Sequence, residues 1–133
     1  MTCEKGCCLF GEEAQLVSKS EDCEIYRLSD ESGEAKFTVY SVFPGISLIY
    51  KDIHAFRFEP ELFKNQKLLE INHCREGRAE FSFGEKLCYL SPGDVSVIFE
   101  KERGREVSYP LKHYHGLSVV IDAKKAPGCL SCF

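Results

Sequence analysis

Five short stretches hold the side chains that could do chemistry. "LLEINHCREG" (68–77) carries Glu70, Asn72, His73 and Cys74, "KDIH" carries Asp52 and His54, "HYH" carries His113 and His115, and "CEKGCC" with "CLSC" supplies Cys3, Cys7, Cys8, Cys129 and Cys132. Carboxylate, amide and imidazole groups in one place can orient a hydroxyl-rich molecule, move a proton, or hold a metal ion. The Cys-x-x-Cys spacing suits tetrahedral zinc. Cys3, Cys7, Cys129 and Cys132 would complete a four-thiolate site if the two ends met in space, but one such pair without a second is a weak signature.

The elements that must position these groups read as strands. In "KFTVYSV", Phe37, Val39 and Ser41 alternate with Lys36, Thr38, Tyr40 and Val42, and Pro44 and Gly45 end the run. "ISLIYKDIHAFRF" reads as one long or two short strands, followed by "LLEINHC", "RAEFSF", "KLCYL", "VSVIF" and "HYHGLSVVID". Gly and Pro turns separate them, and "KERGRE" is a charged loop. Short strands with turns and no strong helical pattern predict an all-β antiparallel sandwich or barrel with little helix. Near the start, "EEAQLV" suits a helical turn and "CEIYRL" a short strand.

The 133 residues fit one domain, and 44% hydrophobic composition supports a real core. A formal charge of −4 argues against direct contact with nucleic acid, since phosphate binding requires clustered Lys and Arg. No apolar run approaches the roughly 20 residues of a membrane span, and "MTCEKGCC" lacks a signal-peptide core. A cytoplasmic protein follows as the expectation. In that compartment eight cysteines read as free thiols or metal ligands rather than disulfides.

"LEINHCREG", then "YLSPGD", then "HYHGLSVVID" resembles the cupin-type sensor domain at the N-terminus of AraC-family transcription regulators. The resemblance runs from about Phe37 to Asp122. It implies a jelly-roll β-barrel that binds a small-molecule effector, sugars among the ligands it suits, and that supports a homodimer. In that family a linker helix and two helix-turn-helix units follow the barrel, and DNA is contacted only there. The implied division is an N-terminal arm over 1–28, the barrel over 29–125 and the start of a linker over 126–133.

Metal-binding cupins offer a contrast. Glu70 and Gly77 keep their Glu-to-Gly spacing, but their two histidines would fall near 63–66, which reads "FKNQ". A further His would fall where Arg103, Gly104 and Arg105 stand. A lone carboxylate does not hold a transition metal tightly, so no barrel metal and no cofactor are expected.

In metal cupins the face carrying the Glu points into the barrel, which here implies Glu70, Asn72 and Cys74. On the last strand Leu117, Val119 and Ile121 form the apolar face, and His113 and His115 go inward with it. His115 resembles the pocket histidine of sugar-sensing members. Leu48, Tyr50, Asp52 and His54 share one side of their strand. The expected ligand-binding set is therefore His54, Glu70, Asn72, His113 and His115, with Tyr50 or Tyr114 as a flat surface and His73 on the opposite face. Two other readings stand beside it: Glu70 and a His as a buried structural couple, and Glu70 with His115 as the acid/base pair of a stand-alone, metal-free cupin isomerase or lyase acting on a sugar or keto acid. The sensor reading is non-catalytic.

Overall fold

The computed structural model describes residues 15–58, 68–83, 85–99 and 107–122. The alternation seen in the sequence becomes eleven strands among them: β1 (Gln15–Lys19), β2 (Cys23–Asp30), β3 (Gly33–Phe43), β4 (Ile46–Ala55), β5 (Arg57–Phe58), β6 (Leu68–Gly77), β7 (Ala79–Phe83), β8 (Lys86–Leu90), β9 (Val95–Phe99), β10 (Val107–Ser108) and β11 (Tyr114–Asp122). Every pairing is antiparallel. The large sheet runs β1-β2-β3-β4-β11-β6-β9 and the small one β5-β10-β7-β8. Chain segments distant in sequence thus become neighbours in both sheets, the jelly-roll arrangement expected. No helix among the described residues is long and apolar enough to cross a membrane.

The core lies between the sheets. Tyr26, Ala35, Phe37, Val39, Ile49, Ile53, Ala55 and Val120 from the large sheet meet Ala79, Phe81 and Leu90 from the small one. Burying each of the larger side chains contributes about 1.5–3 kcal/mol. Phe37 and Val39 point inward while Lys36 and Tyr40 point out, as the alternation in "KFTVYSV" requires.

Two expectations are revised and one left open is decided. Gln15–Lys19 forms an edge strand rather than a helical turn, and it pairs with β2. Residues 15–28 are therefore part of the sheet, not of an arm, because Tyr26 is fully buried and gives β2 an inward face. "ISLIYKDIHAFRF" divides at Phe56, with β4 in the large sheet and β5 in the small. The "KERGRE" loop, the linker segment and Cys3, Cys7, Cys8, Cys129 and Cys132 lie outside the described residues, as do the positions where metal cupins carry their first two histidines.

Candidate functional site

The inner face of the large sheet carries a polar cluster in an otherwise apolar interior. Lys51 stands between the buried Ile49 and Ile53 on β4, and period two points it inward with them. Its Nζ donates to Glu70 Oε2 at 2.8 Å and to Asn72 Oδ1 at 3.1 Å. Asn72 Oδ1 also accepts from the Ser118 hydroxyl, and its Nδ2 faces Ser96 Oγ at 3.5 Å. The register places these groups side by side, with Ser118 opposite Asn72 and Val120 opposite Glu70. The Lys51 and Glu70 side chains keep only 14% and 11% exposure.

Around this cluster the titratable groups are held neutral. Burial pushes the Tyr109 phenol above its ordinary range, and the neighbouring Tyr114 and Glu70 add to that. Burial does the same to Tyr114, helped by Cys74 and Glu70. The Cys74 thiol is likewise raised, first by burial and then by Asp94. The Tyr109 and Tyr114 rings stand 5.2 Å apart. The interior therefore combines one ion pair, an amide and hydroxyls, which suits a polar organic molecule.

The histidines are elsewhere. On β11 Tyr114, Gly116, Ser118 and Val120 are buried in alternation, so His115, Leu117 and Val119 face outward; Ile121 is buried too, in a separate apolar cluster with Leu69. His115 stands opposite Asp52, with its Nε2 2.8 Å from Asp52 Oδ1, and His54 Nε2 lies 2.8 Å from the same oxygen. Glu76 completes the group: Oε1 is 3.2 Å from His113 Nε2 and Oε2 is 3.4 Å from His115 Nδ1. The His113 hydrogen bond, then the charge of His115, holds the Glu76 carboxyl below its ordinary range.

Glu76 reaches this face through a β-bulge. His115 pairs with Glu76 but Gly116 pairs with Cys74, so Arg75 is an extra residue on β6. Strict alternation from Glu70, Asn72 and Cys74 would have turned Glu76 inward. Gly77 closes the bulge at φ 83, and a Cβ there would lie 1.9 Å from the His113 carbonyl oxygen. Only glycine permits that approach.

The expected ligand-binding set thus divides. Glu70 and Asn72 are in the barrel; His54, His113 and His115 are across the sheet from them, so Glu70 and His115 do not meet as a pair. Tyr50 is also on the outer face, edge-on to Tyr40 at 5.8 Å, whereas Tyr114 is inside. The premise that Leu117, Val119 and Ile121 mark the interior was wrong, because this sheet is apolar on both faces. Sequence reasoning missed Lys51 and Ser118, although the alternation of Ile49, Lys51 and Ile53 was a usable signal. For Glu76 no signal existed, since the bulge is not written in residue types.

No family model matches the sequence, and no curated protein matches it. Solved structures do match in shape. A Cupin 2 conserved barrel domain protein from Salinispora arenicola superposes with a TM-score of 0.54 at 16% identity, covering 90% of this chain and 91% of that one. The fold is a cupin jelly roll. The cupin barrel is shared by proteins of different kinds: the AraC-like transcriptional activator CuxR gives 0.54 at 7% identity over 75% of this chain, and FeII HppE gives 0.55 at 11% over 81%. This chain spans 39% of the length of CuxR and 64% of that of HppE.

Proposed function

We propose that this chain is a cupin sensor domain that binds a small polar metabolite inside the barrel, without turnover, and passes that binding to a transcription regulator of the AraC type. The observation that carries the reading is the Lys51–Glu70–Asn72 cluster. An ion pair this sheltered is seldom worth its desolvation for stability alone. Among the described residues, two of the three Lys51 donors are engaged. A ligand carrying hydroxyl or carboxylate oxygens would meet the ammonium, while the Glu70 carboxylate would accept from its hydroxyls and the Asn72 amide would accept or donate.

In this reading the protein acts in the cytoplasm as a homodimer. The outer face of the large sheet offers a surface for that: Tyr40, Leu48, Val119, Ile71 and Val97 stand in register across five strands, and Tyr40 and Val97 are exposed. DNA would be contacted by a helix-turn-helix part beyond this chain. The effector would act by favouring one arrangement of the dimer, which requires different affinity for the two arrangements. The likeness in shape to CuxR supports the regulator reading, and that to FeII HppE supports an enzyme.

Calorimetric titration against sugars, sugar acids and keto acids, with NMR inspection of the same mixtures, tests it. Saturable binding without product, abolished by Lys51→Met, is the expected result. A new product that depends on Glu70 would replace the sensor by an isomerase or lyase.

A further inference from the structure

Three imidazoles expected inside the barrel gather instead on the far side of its wall. We propose that His54, His113 and His115, together with Asp52, bind one divalent transition-metal ion of the zinc class on the outer face of the large sheet. Each histidine offers a ring nitrogen within 4.8 Å of the others'. The rings are close, with centroids 4.5 Å apart for His113 and His115, 5.2 Å for His54 and His113, and 5.8 Å for His54 and His115. Bonds of about 2.1 Å place neighbouring donors about 3 to 3.5 Å apart, a spacing that small side-chain rotations bring within reach.

A second, independent observation comes from Asp52. Its Oδ1 and the facing His115 Nε2 are both shielded from solvent and lie at the ion-pair distance of 2.8 Å, yet neither is aligned for a hydrogen bond. Oδ1 is equally close to His54 Nε2. Close polar atoms that do not bond to one another are the arrangement expected of donors converging on a common centre. A 2.8 Å separation is near that of adjacent ligands on one ion.

Glu76 supplies the outer support that such sites use. It holds His113 through Nε2 and His115 through Nδ1, which leaves Nδ1 of His113 and Nε2 of His115 for the ion. His54 contributes Nε2. The donor set of three imidazoles and a carboxylate suits zinc and its first-row neighbours rather than calcium or magnesium. Carboxylates come to the site from three strands: Glu34 on β3 stands opposite His54, and Asp52 and Glu76 touch the imidazoles, while Lys36 stands opposite Asp52. Carboxylates in contact with the imidazoles favour a cation over an anion. This site faces away from Lys51 and Glu70 and stands independently of any barrel ligand.

The full chain, stripped with a chelator, would be titrated with cobalt(II) and then zinc(II). One equivalent should bind, giving visible d–d bands without thiolate-to-cobalt charge transfer, and zinc should displace the cobalt. His54→Ala and His115→Ala should each abolish the bands while keeping the circular dichroism of the parent. Glu76→Gln should weaken binding about 10- to 100-fold, and Lys51→Met should leave it unchanged. If His115→Ala does not fold, His54→Ala decides, since that side chain is 54% exposed. Thiolate charge transfer that survives both His variants would assign the metal to cysteines and overturn the proposal. Absence of binding at millimolar metal would overturn it as well.

Discussion

The two faces of the large sheet handle polar groups in opposite ways. Inside, Lys51, Glu70, Asn72 and Ser118 satisfy one another at the cost of desolvation, and each loss leaves a partner stranded. Outside, His54, His113, His115, Asp52 and Glu76 are half-exposed, so water can replace a lost partner. The same strands build both, β4, β6 and β11, and side chains only one residue apart enter different chemistries. Lys51 and Asp52 show this most plainly. The interior is thus a place where a mutation costs stability, and the outer face one where it costs chemistry first.

Gly77→Ala should break the comparison altogether, because Gly77 serves both faces. Its Cβ would collide with the His113 carbonyl, and its φ of 83 disfavours any side chain. Together these predict a loss of about 3 to 4 kcal/mol in urea unfolding, along with loss of metal binding. A variant as stable as the parent would show that the bulge does not hold β6 to β11. Lys51→Met comes next and sharpens the contrast. Leaving Glu70 sheltered without its ammonium should cost about 3 kcal/mol, whereas Lys51→Met with Glu70→Leu should recover most of it. His115→Ala in the metal-free protein should shift the same unfolding curve by less than about 1 kcal/mol. Equal losses for Lys51→Met and His115→Ala would mean the two faces do not differ as described.

Apart from β1, which was expected as a helical turn, strand identity was legible in the sequence because period two and Gly-Pro turns are local signals. The alternation set Phe37 and Val39 on one face, and Glu70 and Asn72 were expected in the barrel. What failed was the sense of β11. An apolar stripe normally marks the interior, but here Leu117 and Val119 line the outer face while Gly116 and Ser118 line the barrel. This barrel keeps polar and small residues inside, and a sheet that also has an apolar outer face inverts the usual rule. The division of the binding set followed from that inversion. Glu76 could not have been placed, because one extra residue at Arg75 reverses the alternation and only the cross-strand register reveals it.

The smallest expected effect separates the faces by pH. The Glu76 carboxyl is lowered from 4.5, chiefly by the hydrogen bond from His113 and then by the charge of His115. A folded-state value below the unfolded one means that the unfolded chain binds the proton more readily. The contribution of Glu76 is therefore complete above about pH 4.5 and is lost as pH falls through the lowered value. Melting temperatures of the metal-free parent and of Glu76→Gln should accordingly be separated above that pH and converge below it. Curves that stay parallel through the acid range would show that Glu76 does not engage the imidazoles in solution, and would remove the support that orients His113 and His115. Because the carboxylate is exposed, added salt should shrink the separation, whereas the cost of Lys51→Met in the sheltered interior should hardly change.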